Sequence, residues 1–204
     1  MTQNRTLETK RLPAGSVLVV GAGLAGLYLA LKLAPRQVYV LTSRRSSVGS
    51  ASAWAQGGIA AALSPDDTAD SHAKDTIAAG DGLVDPEIAR ILATEGPGRV
   101  HDLDTLGVPF DRNAKGELYL SLEAAHSIPR VARVKGDTAG AEIIKVMVKR
   151  AQEADHVTGL IGWRAESLLT DNNGAVAGAL ARNCLLYTSP SPRDATLSRM
   201  PSSA

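Results

Sequence analysis

The chain has 204 residues, of which 44% are hydrophobic and 21% charged, a composition that belongs to a globular domain and not to a disordered segment. With 22 basic against 21 acidic residues and 3% aromatics, it offers neither a broad basic surface for nucleic acid nor a stacking platform for single strands. A single cysteine excludes a disulfide framework and a cysteine-based zinc site, and it fits a reducing compartment, so a cytoplasmic location is expected.

Residues 1–15 are polar and read as a flexible N-terminus. From Val17 to Leu31 nothing is charged, but the run is too short to span a bilayer, and no other segment is a candidate span. The run contains Gly21-Ala22-Gly23-Leu24-Ala25-Gly26, which predicts a buried strand (SVLVV), a tight turn and a helix (LAGLYLALKLA). A second strand, QVYVLT, follows from Gln37 to Thr42 after a short turn. Strand, glycine turn, helix and strand within about thirty residues open a doubly wound, dinucleotide-binding α/β domain. Gly21 suits the tight turn, Gly23 the approach of a pyrophosphate, and Gly26 close packing of helix on strand.

Residues 43–58 read as irregular. Helices are expected over 70–79, over 86–95 with Asp85 as N-cap and Pro86 at the first helical position, and over 98–106. Residues 108–135 read as short strands and loops. Residues 138–154 form a long helix with Ile143, Ile144, Met147 and Val148 on one face. Strands are expected over 156–163, 166–170 and 175–181, with Asp171-Asn172-Asn173-Gly174 as a hairpin turn.

The second strand ends in Thr42-Ser43-Arg44-Arg45, without the acid that usually holds the ribose hydroxyls of NAD. On spacing alone the arginines favour a 2′-phosphate, or simply lie at a solvated strand end. The next segment reads SASAWAQGGIAAA over 50–62. It resembles the flavin-binding loop of the succinate dehydrogenase, fumarate reductase and L-aspartate oxidase superfamily. The stretches VVGAGLAG, AWAQGGIAAAL, DSHAKDTIAAGDGL, LGVPFDR, LEAAHSIPRV and GDTAG are together most similar to the L-aspartate oxidase branch.

The resemblance implies a Rossmann-like FAD-binding domain of the glutathione reductase type over residues 16–183, truncated before a capping domain. It implies FAD contacts at Gly21, Ala22, Gly23, Leu24, Ala25, Gly26 and Ser43. It extends them through Ala51, Ser52, Ala53, Trp54, Ala55, Gln56, Gly57 and Gly58, with Ala165 and Glu166 near the adenine. Covalently flavinylated relatives carry His five residues before the loop Gln; here that position is Ala51, so the FAD is expected to be non-covalent. Backbone N–H groups at Gln56-Gly57-Gly58 suit the electron-rich reduced ring.

Glu123 aligns with a glutamate that orients L-aspartate, a carboxylate facing the substrate ammonium. The family often has Arg before it and Gly-Gly after it; here Leu122 and Ala124-Ala125 stand there. The implied reaction is FAD-dependent oxidation of L-aspartate to iminoaspartate with oxygen or fumarate as acceptor. By resemblance the product feeds quinolinate synthase in NAD biosynthesis. A fumarate reductase-like enzyme with non-covalent flavin, or a non-catalytic dinucleotide-binding fragment, are the alternatives, and the chain alone is expected to be inactive. No metal site is expected: Glu123 and His126 would make a pair only on a helix, and two ligands are few. His72, His101 and His156 read as surface or helix-packing residues, and Asp66-Asp67 as a solvated turn.

From Cys184 to Ala204 the composition breaks: all nineteen glycines lie before it, and the run CLLYTSPSPRD is similar to one reading frame of a transposase-type sequencing adapter. SRMPSSA, from Ser198, resembles the flow-cell adapter that follows it, with Ala195, Thr196 and Leu197 at the barcode position. The tail is therefore expected to be non-native. Sequencing the source locus across the codon for Asn183 is expected to show a different continuation; genomic DNA encoding the same 21 residues would contradict this.

Overall fold

The computed structural model describes residues 9–43, 50–136 and 138–184; Arg44, Arg45 and residues 185–204 lie outside them. Its first element, β1 (Val17–Val20), leads through the glycine turn into α1 (Leu24–Lys32) and then β2 (Val38–Thr42). Both strands are apolar on successive residues, as strands covered on both faces tend to be. They pair in parallel, Val17 with Val38 through Val20 with Leu41. The later strand β6 (Val157–Ile161) adds to the far edge of β2, also parallel, giving the order β1-β2-β6. The parallel, α/β character expected from the first forty residues is thus present. Val19, Val38 and Val40 bury one face against Ala30 of α1.

The expected long helix is α5 (Ala139–Glu153), which runs into β6. It buries Ala139, Gly140, Ile143, Ile144, Met147 and Ala151, the stripe that a 3.6-residue period dictates. These side chains meet Leu27 of α1, so α1 and α5 pack together against the larger core.

Where a loop is expected over 43–58, the structure has a short helix, α2 (Ala51–Trp54), and the start of β3 (Gly58–Ala60). Ser50 caps α2, its Oγ accepting from Ala53 N–H at 3.2 Å. After β3 come α3 (Ala69–Ala79) and α4 (Pro86–Thr105). Asp85 caps α4 as expected, accepting from the N–H groups of Glu87 (2.8 Å) and Ile88 (3.2 Å).

The two helices expected over 86–95 and 98–106 are one: α4 runs without a break through Gly96 and Pro97. Its buried residues Ala89, Ala93, Val100 and Leu103 keep one helical stripe on both sides of the proline. Burial of a continuous face outweighs the hydrogen bond that proline cannot make.

A second, antiparallel sheet has the order β3-β5-β4, with β4 (Leu120–Ser121) and β5 (Val131–Arg133). The chain ends its described part in a hairpin of β7 (Trp163–Thr170) and β8 (Val176–Asn183). The expected turn forms, with Asp171 Oδ1 accepting from Asn173 and Ala175 N–H and Gly174 at φ 80. Among the described residues, no helix is long and apolar enough to cross a membrane.

Because Pro97 costs α4 a hydrogen bond, Pro97→Ala is expected to raise unfolding free energy by about 1–3 kcal/mol. Urea denaturation checks it, and a lowered midpoint would show that the proline is fitted to its surroundings.

Candidate functional site

The glycine turn is closed by contacts that only glycine allows. Gly21 sits at φ 108 and donates its N–H to Leu41 O at 2.9 Å, tying the turn to the end of β2. A Cβ on Gly26 would lie 2.0 Å from Gly21 O, so α1 could not approach the turn with any larger residue there. Gly23 is the N-cap of α1 and has no side chain to cap it. The Leu24 N–H instead donates to Ser52 Oγ at 3.2 Å, which docks α2 on the positive end of α1. A Cβ on Gly23 would meet that same Oγ at 3.4 Å.

α5 holds the other side of this loop. Gly140 donates its N–H to Ala55 O at 3.0 Å, and a Cβ there would fall 2.0 Å from Ser52 O. Gly140 is a residue that sequence reasoning missed as part of the site; its signal was the string GDTAG, whose glycine falls at the buried start of a helix. A cavity of about 170 Å³ opens between these elements, lined by Leu24, Ser52, Ala55, Gln56, Gly58 and Ile143 among others. Trp54, at the end of α2, has 75% of its surface exposed. Gly57 takes a left-handed conformation at φ 77, and at Gly58, whose Cβ would lie 2.3 Å from Ala132 O, there is no room for a side chain where the loop enters β3.

Glu123 lies in the exposed loop between β4 and β5, yet it faces this centre: its Oε1 is 3.6 Å from where a Cβ on Gly57 would be. Its carbonyl accepts from His126 N–H at 2.9 Å, closing a turn where a Glu-x-x-His pair would need a helix. Among the described residues, no group of three or more His, Cys, Asp or Glu could hold a metal ion.

Behind the loop is a polar cluster built on Arg130, whose side chain is 0% exposed. Its Nε and Nη2 donate to the two carboxylate oxygens of Asp67, both at 2.9 Å. Nη1 donates to Asp75 at 2.6 Å and Nη2 also to Ser71 Oγ at 3.1 Å. Burial works against the guanidinium charge, but the bonds to Asp67 and Asp75 outweigh it and hold its pKa above the ordinary arginine value.

The expectation of a solvated Asp66-Asp67 turn is therefore corrected for Asp67, which is buried because a buried cation needs an anion beside it. His72, read as an ordinary packing residue, stands edge-on to His126 with ring centroids 5.6 Å apart. Burial, and then Arg130 and His126, lower its pKa. His101 is exposed on α4, and the His156 ring meets Ala30 O at 3.1 Å.

The residues expected near the adenine come from elsewhere in the chain. Gly162 donates its N–H to Thr42 O at 2.8 Å, which sets the start of β7 beside the end of β2 and so beside Ser43. Ala165 and Glu166 follow on β7, with the Glu166 carboxylate paired to Arg182 of β8. Ala51, on the first turn of α2, carries no group that could bond covalently to a flavin.

The model of the FAD binding domain family matches residues 16–199, and the chain belongs to that family; FAD is its cofactor. The match runs through residues 184–199, which the sequence reading sets apart as a tail. At the level of particular proteins, the L-aspartate oxidase of Caulobacter vibrioides is 50% identical over 167 residues, covering 80% of this chain and 33% of that protein. That of Agrobacterium fabrum is 41% identical over 161 residues, covering 79% and 31%. Among solved structures, Mycobacterium smegmatis Sdh1 in complex with UQ1 matches with a TM-score of 0.72 at 31% identity, over 81% of this chain and 30% of that one. An E. coli quinol fumarate reductase matches with a TM-score of 0.75 at 22% identity, over 83% and 29%, a likeness of fold alone. The chain spans about a third of the length of the L-aspartate oxidases it matches.

Asp75 accepts both the N–H and the Oγ–H of Ser127 and a bond from Arg130, and these lower its pKa to about 2. A carboxyl depressed in this way stabilises the fold fully above its unfolded pKa of about 4 and loses that contribution as pH falls toward about 2. Urea midpoints are therefore expected to drop between pH 4 and pH 2, and Asp75→Asn to shrink that drop while lowering stability at pH 7. Acid limbs of equal size in the two proteins would contradict the assignment.

Proposed function

We propose that this chain is the flavin-binding third of an L-aspartate oxidase, which oxidises L-aspartate to iminoaspartate. The observation that carries the reading is the Glu123 carboxylate standing against Gly57 of the flavin loop. FAD, when bound, supplies the acceptor for the hydride that leaves the substrate Cα. The chain's own residues prepare that event. The glycine turn and the start of α1 would hold the pyrophosphate, with partial positive charge from unpaired helix N–H groups. Gln56, Gly57 and Gly58 would border the ring with backbone donors, Gln56 and Gly58 lining the cavity directly. Ser52 and Gly140 keep α2, and so this loop, docked on α1 and α5.

Glu123 would accept the substrate ammonium. L-aspartate and succinate share two carboxylates and differ at the reacting carbon by that group, so an anion there separates the two classes of substrate. Cations for the two carboxylates and a base for the amine proton are assigned to the two thirds of the relatives' length that this chain does not span. This chain by itself would then bind FAD without turning over aspartate. Oxygen or fumarate would reoxidise the flavin, and the imine would be consumed by quinolinate synthase on the way to NAD, in the cytoplasm. With Ala51 where the covalent relatives have His, the flavin is held without a bond.

The test uses a hybrid in which residues 16–183 replace the matching third of the Caulobacter vibrioides enzyme. Glu123→Gln keeps size and hydrogen-bonding capacity while removing the charge. It is expected to raise KM for L-aspartate about ten- to a hundredfold and to leave KM for fumarate and flavin content unchanged. Acid precipitation should release yellow flavin into the supernatant. Equal effects on both substrates would remove the amine-reading role of Glu123, and flavin retained in the pellet would overturn non-covalent binding.

A further inference from the structure

The loop that carries Glu123 is closed at its ends and tied between them to α3, through Ser127 and through the edge-on contact of His126 with His72. Arg130 donates its backbone N–H to Ser121 O at 3.2 Å, which closes residues 122–129, and its carbonyl accepts from Ala61 N–H at 3.0 Å, fixing that closure to the strand beyond β3. Between the ends, Ser127 donates twice to one oxygen of Asp75 on α3, from its N–H at 2.7 Å and from its Oγ at 2.8 Å. The same oxygen accepts from Arg130 Nη1 at 2.6 Å. One carboxylate oxygen thus joins the loop, α3 and the buried guanidinium. From this anchor to Glu123 there is a single turn, closed by His126 N–H on Glu123 O.

We propose that Ser127 and Asp75 are positioning residues that set where the Glu123 carboxylate stands beside the flavin loop, and through it the affinity for the substrate amine. The proposal rests on the reading of Glu123 as the acceptor of the substrate ammonium. Glu123 is exposed, so its placement is determined by its backbone and not by packing around its side chain. The backbone is held by charge-assisted bonds that converge on Asp75, whose own position is fixed by Arg130. Asp67 in turn holds Arg130 on two further nitrogens, so the support beneath the anchor is rigid. Loosening the anchor releases the turn without disturbing the sheet, whose strands are paired independently of it.

Ser127→Ala removes one of the two donors and leaves the fold's buried ion pairs intact. In the flavin-loaded hybrid it is expected to raise KM for L-aspartate about three- to tenfold, with kcat and KM for fumarate unchanged. Ser127→Thr, which restores the hydroxyl, should restore KM. In a Glu123→Gln background Ser127→Ala should add nothing, because a residue that acts through Glu123 has no effect once the charge is gone. An unchanged KM, or the same increment in both backgrounds, overturns the proposal while leaving the role of Glu123 standing. Should Glu123→Gln itself fail to separate L-aspartate from fumarate, the functional reading and this proposal fall together. Hydrogen exchange on the unaltered-length chain supplies a readout independent of activity. Ser127→Ala is expected to speed exchange at residues 123–127 but not at Val131–Arg133, and unchanged exchange in the loop overturns the anchor.

Discussion

A guanidinium with no exposed surface has to be surrounded by acceptors, and Arg130 organises the middle of this chain on that condition. Its side chain draws Asp67 and Asp75 from before and within α3, and Ser71 between them, while its backbone pairs with Ser121 on one side and Ala61 on the other. An ion pair of this kind adds little net stability, because desolvation offsets most of the Coulomb attraction. Removing one partner, however, leaves a buried charge unmatched and costs about 3–5 kcal/mol. The arrangement is therefore one of specificity: it fixes which segment of α3 lies behind the Glu123 loop.

The other half of the site is arranged by backbone contact. Three glycines do the separate jobs that side chains would prevent: Gly26 packs on Gly21 O, Gly58 on Ala132 O, and Gly140 on Ser52 O. Together they draw the start of α1, the short α2 and the start of α5 around one cavity. The glycine turn comes from the parallel sheet and the loop over 50–58 leads into the antiparallel one, so the candidate site lies where the two sheets meet. Glu123 reaches that meeting point from the far side of β5.

Local signals were legible in the sequence. The apolar run ending in Gly21, the Asp85-Pro86 helix start, the stripe of α5 and the Asp171–Gly174 turn each specify their structure within a few residues, and each is present. The helices read over 86–95 and 98–106 are one, because the local penalty of Pro97, a few kcal/mol, is opposed by burial along the whole length of α4. The short α2 was not visible because four residues carry too little periodicity to register, and Ser50 alone is a weak cap signal. Asp67 and Arg130 are separated by 63 positions. Nothing local marks them as partners, and a pair of adjacent aspartates reads as solvated unless the buried cation is known. Glu123 and Gly57 were singled out by resemblance; their proximity is a tertiary fact that neither periodicity nor spacing supplies.

The central claim is that this segment serves an enzyme that oxidises an amino dicarboxylate and not its deaminated counterpart. Anaerobic mixing of the flavin-loaded hybrid with substrate tests this most directly, since loss of the yellow absorption band reports a single reduction with no acceptor involved. L-aspartate is expected to bleach the band and succinate at the same concentration to leave it intact. Bleaching by succinate with no response to L-aspartate would contradict the account.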